Sequence, residues 1–133
     1  RDRPEHYRIL QETLESPTLY DVVLRLLARK GLAVPEDVLT RDVTERYTTH
    51  PGVTDIWLQV YRDTENHWTE YELAEELVDL EDWFQQWRFR HVTTVERIIG
   101  NKRGTGGTAG VAYLQKALDI RFFPELWEVR TVL

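Results

Sequence analysis

Apolar residues along this chain recur every three or four positions and almost never every second, so the pattern predicts helices throughout. The longest run, from Trp68 to Ile99, meets no proline or glycine until Gly100. At ~1.5 Å per residue it predicts a helix on the order of 45 to 50 Å long. Tyr71, Ala74, Leu77, Glu81, Phe84, Trp87, His91, Val95 and Ile98 are spaced by three or four and are expected to form one stripe, with His91 on the inward face.

Shorter helices are expected on either side. Apolar residues are sparse from Glu5 to Leu14, after which Ser16-Pro17 supplies an N-cap with proline at the first helical position. In SPTLYDVVLRLLARKG the inward residues are expected to be Leu19, Val22, Val23, Leu26 and Leu27, with Arg29 and Lys30 in the last turn and Gly31 as the C-terminal cap. Between Leu32 and Gly52 the prolines predict an ordered loop carrying one helical turn at Pro35 to Leu39. Val53 to Arg62 reads as a helix with Ile56, Trp57 and Val60 on one side. Val111 to Leu118 reads as another, with Val111, Leu114, Ala117 and Leu118 inward, and FFPELWEV closes the chain as an aromatic-rich segment. The fold class is all-α: a helical bundle with one long helix, a Gly-rich loop and a shorter helix.

Composition narrows the function classes. The 133 residues are 41% hydrophobic and 30% charged, enough for one globular domain with a real core. Seventeen Lys and Arg against twenty-three Asp and Glu give a net charge of -6, which disfavours nucleic acid and anionic membrane surfaces as partners. There is no cysteine, hence no disulfide, thiolate metal site or cysteine nucleophile; this suits a reducing cytoplasm, where the chain is expected to reside. No apolar run reaches the roughly 20 residues that would span a bilayer.

Two features invite chemistry. NKRGTGGTAG, Asn101 to Gly110, holds four of the seven glycines directly after the long helix. Gly104, Gly106 and Ala109 satisfy G-x-G-x-x-A, but a helix and not a strand precedes them, and no Lys-Ser/Thr pair follows for a phosphate loop. The loop is then either an anion-binding nest of backbone N–H groups with the Thr105 hydroxyl, or a turn that reverses two helices. His91 is either a hydrogen-bonded core histidine or a ligand. With no HExxH, no bundle-type His-Glu motif and no second histidine in helical reach, the metal chemistry it suits is haem, which needs a single protein ligand. Trp83, Phe84, Trp87 and Phe89 could wall a flat cofactor or simply pack.

WRFRHVTTVERIIGNKRGTGGTAGVAYLQKALDIRFFPELWEVRT, Trp87 to Thr131, resembles the C-terminal part of the tryptophan 2,3-dioxygenase family. The likeness extends more loosely upstream through LYDVVLRLLARKG and VYRDTENHWTEYELAEELVDLEDWFQQ. It implies an all-helical haem b enzyme, a cytoplasmic homotetramer, that inserts O2 across the indole C2–C3 bond of L-tryptophan to give N-formylkynurenine. His91 falls on the proximal iron ligand, and Val95, one turn on, against the proximal face of the porphyrin. Thr105 falls on the loop threonine that contacts the substrate ammonium, with Gly104 and Gly106 beside it allowing close approach to haem and substrate. The family's distal histidine and carboxylate-binding arginine belong to an N-terminal half with no counterpart here; His6, His50 and His67 match no such motif and are assigned to surface or loop roles. Residues 1–133 are therefore expected to be the C-terminal portion of a single haem domain, opening at RDRPEHYRIL without an initiator Met, and inactive alone. The alternative is a non-catalytic helical interaction module of the same descent, and behind it an anion- or nucleotide-binding domain built on the glycine loop.

Overall fold

The computed structural model describes Arg8, residues 18–100, Ala112, Gln115, Lys116 and residues 118–133. Its helices are α1 (Leu19–Arg29), α2 (Glu36–Leu39), α3 (Pro51–Arg62), α4 (Trp68–Ile99) and α5 (Pro124–Val132). Every regular element among the described residues is helical, as the periodicity predicts. The chain divides into two compact units, one formed by Arg1–Tyr71 with Pro124–Leu133 and the other by Glu72–Phe123.

In the first unit α1 packs with α2 and α3 with α5. Helix α1 begins two residues later than Ser16-Pro17 would place it: Thr18 is the N-cap, in a capping box with Asp21. The expected inward face also turns. Leu19 and Val22 are half exposed, whereas Tyr20, Asp21, Val23, Leu24 and Leu27 are buried. The reason is polar: Asp21 accepts both Thr18 N–H and Oγ1–H at 2.9 Å and a two-pronged Arg41 guanidinium at 2.7 Å. Burial alone would raise the Asp21 carboxyl, but Arg41 and Thr18 outweigh it and hold it below the ordinary range. Arg41 also donates to the Glu45 carbonyl at 2.8 Å, which orders the loop after α2.

Helix α3 has proline at its first position and His50 as N-cap, whose Nδ1 accepts Gly52 N–H at 2.9 Å. That acceptance fixes the proton on Nε2, which donates to Asp37 at 3.1 Å. Gly52 is needed here because a Cβ would stand 2.7 Å from Pro35 Cγ. Ile56, Trp57 and Val60 are buried as predicted, and Val53 is buried with them.

A carboxylate organises this core. Glu125, in the first turn of α5 and fully buried, accepts Tyr20 O–H at 2.7 Å, Tyr47 O–H at 2.5 Å and His50 N–H at 2.9 Å. Tyr20 in turn accepts the Trp57 indole N–H at 3.0 Å. Burial, and then the neighbouring Glu125, push both tyrosine hydroxyls well above the usual phenol value. The folded state thus keeps two protons that the unfolded chain releases near pH 10. This stabilisation is complete below pH 10 and is lost as pH rises above it, with a slope approaching about 2.7 kcal/mol per pH unit for the two groups. Denaturant unfolding between pH 9 and 11.5 should show that slope, roughly halved in Tyr47→Phe; a flat profile would show that neither hydroxyl is held.

The second unit contains most of α4. Gly100 closes the helix in the left-handed conformation, at φ 60°, with its N–H on the Glu96 carbonyl. Ala112, Gln115 and Lys116 are helical, within the span predicted from Val111 to Leu118; Leu118 itself is in a turn, and Val111, Leu114 and Ala117 lie outside the described residues.

Candidate functional site

Of the functional residues expected from sequence, the structure describes those on α4. Gly104, Thr105 and Gly106 fall outside the described residues, as does His6. His91 and Val95 are on the helix; Val95 is half buried.

His91 is not on the buried face. Along the expected stripe Ala74, Leu77 and Glu81 are buried, but Trp87 is 52% exposed, Ile98 is 75% exposed and His91 is exposed as well. The difference is one of phase. The stripe steps by fewer than 3.6 residues on average, so it drifts around the helix. At about 100° per residue Glu81, Gln85, Arg88 and Val92 fall within about 60° of one another, while His91 and Trp87 lie about 80° and 120° from Glu81.

Those first four residues form the anchored face. Glu81, fully buried, accepts the backbone N–H groups of Phe122 and of Phe123, the latter at 3.0 Å. Gln85 Nε2 donates to the Leu118 carbonyl at 2.6 Å, and the Arg88 guanidinium lies 5.0 Å over the Phe122 ring. Val92 is buried. A carboxylate buried in a helix stripe is readable in sequence as a break in the apolar pattern; its backbone partners some forty residues away are not.

The other face carries aromatic rings. Trp83, Phe84 and Trp87 are exposed there, with Trp83 edge-on to Phe84 at 5.2 Å, while Phe89, also exposed, lies about 160° around the helix from Trp87. His91 lies over Trp87 with ring centroids 5.2 Å apart and planes within 3° of parallel. Its ring nitrogens have no hydrogen-bond partner among the described residues, so the edge of the imidazole is open. Among the described residues no three His, Cys, Asp or Glu side chains converge as a metal site, so His91 is a lone donor. A porphyrin brings four nitrogen donors of its own and needs one such imidazole beside apolar rings, so these residues fit haem.

Similarity to known proteins decides the family. The model of tryptophan 2,3-dioxygenase matches residues 13–133. The chain belongs to the tryptophan 2,3-dioxygenase family. It is 56% identical over 131 residues to a tryptophan 2,3-dioxygenase of Cupriavidus necator, covering 98% of this chain and 45% of that protein. Tryptophan 2,3-dioxygenases of Bacillus thuringiensis, at 54% over 130 residues, and of Bradyrhizobium diazoefficiens, at 57% over 126, are similar to it over 98% and 95% of its length. The chain spans about half the length of these curated relatives. No helix among the described residues is long and apolar enough to cross a membrane.

Proposed function

We propose that this chain is the haem-ligating portion of a tryptophan 2,3-dioxygenase, which oxidises L-tryptophan with O2 to N-formylkynurenine. The observation that carries the reading is the open imidazole of His91, laid on Trp87 beside exposed aromatic rings, in a chain of this family. His91 would hold the iron of haem b, with Val95 one turn further along against the proximal face. Haem, when bound, supplies the iron at which dioxygen is activated for insertion across the indole C2–C3 bond. The chain's own residues bind and orient. His91 fixes the cofactor, Thr105 accepts the substrate ammonium through its hydroxyl, and Gly104 and Gly106 leave room for the backbone to approach haem and amino acid. These three loop roles rest on the family resemblance of the GTGG segment. The rest of the substrate pocket belongs to the part of the protein that precedes this chain in its relatives, and the working enzyme is a cytoplasmic homotetramer forming a single haem domain in each subunit.

Extended to the full length of its relatives, the protein should show a Soret band and convert L-tryptophan in air to N-formylkynurenine. The 133-residue chain alone should form no product. Turnover by the verified short chain would show that residues 1–133 carry a complete pocket. A full-length protein without a Soret band or product would favour the helical interaction module.

A further inference from the structure

Trp87 precedes His91 by four residues, so both side chains leave the same side of α4, and helical rotamers lean the imidazole back over the indole. The result is a parallel stack, 3° between planes with centroids 5.2 Å apart. That geometry differs from the tilted or edge-on pairs Trp68–Tyr71, at 33°, and Trp83–Phe84 and Phe84–Phe122, at 79° and 84°. It is also not a core contact, because Trp87 is 52% exposed.

We infer that Trp87 is a positioning residue for the His91 imidazole: the indole face sets the plane of the ring and thereby the direction in which its nitrogen lone pair meets the iron. The inference rests on His91 being the haem ligand. An imidazole lone pair lies in the plane of its ring, so a ring held parallel to a neighbouring indole can offer it only within that plane. A lone exposed imidazole on a helix would otherwise turn freely about its terminal side-chain bond. The stack restrains that rotation through its flat face and leaves both nitrogens, which lie on the edge, open. Carboxylates and carbonyls orient metal-bound histidines by accepting from the second nitrogen. No such acceptor meets His91 among the described residues, and the indole face takes that part.

Flatness separates positioning from bulk. Phenylalanine at 87 keeps a flat face, leucine keeps apolar volume without one, and alanine removes both. In the full-length holoprotein the ferrous iron–histidine stretching band in the resonance Raman spectrum should stay narrow in Trp87→Phe and broaden or shift in Trp87→Leu and Trp87→Ala. Haem transfer to apomyoglobin should be roughly 2- to 10-fold faster in the Leu and Ala variants, the range carried by a lost aromatic stack, and near the parent rate in Trp87→Phe. His91→Ala is measured alongside. If that variant keeps the histidine band, the ligand assignment itself falls. If it loses the band while Trp87→Leu matches the parent in band and haem transfer, or Trp87→Phe matches Trp87→Leu, the positioning role is overturned.

Discussion

His91→Ala in the full-length protein should leave a folded protein nearly devoid of haem. The methyl group cannot ligate iron, and among the described residues no three His, Cys, Asp or Glu side chains converge to take over. The backbone has little reason to respond, since the imidazole is exposed and its only described contact is the stack on Trp87. A surface substitution on a helix costs about 0.5 kcal/mol or less, and alanine favours helix. The expected result is therefore specific: unchanged far-ultraviolet circular dichroism, a Soret absorbance per subunit reduced by at least about tenfold, and turnover reduced in proportion. Restoring a ligand with free imidazole should recover part of the Soret band, because the substitution leaves space beside Trp87. A His91→Ala protein with full haem content would remove His91 as the ligand.

Glu125→Ala should produce the opposite pattern, a large loss of stability with α4 chemically untouched. Three donors would lose their acceptor at once: the Tyr20 and Tyr47 hydroxyls and the His50 backbone N–H. A hydrogen bond to a charged group contributes about 1.5 to 3 kcal/mol, and each buried donor left alone costs about 1 to 3. These terms are not additive, and a cavity opens beside them, so a loss of at least about 3 kcal/mol is expected, a large share of a typical domain's stability. Glu125→Gln keeps the shape but turns an amide N–H₂ toward one set of donors, and should fall between the parent and Glu125→Ala. The midpoint of denaturant unfolding reads both. A shift worth less than about 1 kcal/mol in Glu125→Ala would show that the network follows the fold and does not hold it.

Helix positions were legible because their punctuation is local. Pro51 at the start of α3, Gly100 after α4 and Pro35 before α2 each act within one turn of themselves. Facing was harder to read. In α1 counting apolar residues favours Leu19 and Val22, yet the buried side includes Tyr20 and Asp21, whose partners Glu125 and Arg41 are 105 and 20 residues away. In α4 the residues sharing a stripe could be listed, but a spacing of three or four tolerates a drift that carries Trp87 and His91 off the anchored face. His50 lies in a loop, as expected, but its service as the half-buried cap of α3 is set by the geometry of Pro51 and Gly52. The reading of His91 as a candidate ligand rests on the family resemblance, on the lack of a second histidine in helical reach and on an expected apolar face; only the last depends on which way the helix faces, and His91 is exposed.

The hold of Glu81 on the Phe122 and Phe123 amides also gives α4 a fixed origin, ten residues of straight helix upstream of the imidazole. Within that interval length and angle are one variable. Inserting or deleting a single residue would move His91 by about 1.5 Å along the axis but swing it about 100° around it, whereas a change of four residues would return it to within about 40° of its bearing. Point substitutions between Asp82 and Arg90 leave that phase alone. Gene-length changes there do not, so over evolutionary time this stretch can vary in composition far more freely than in the number of residues it contains.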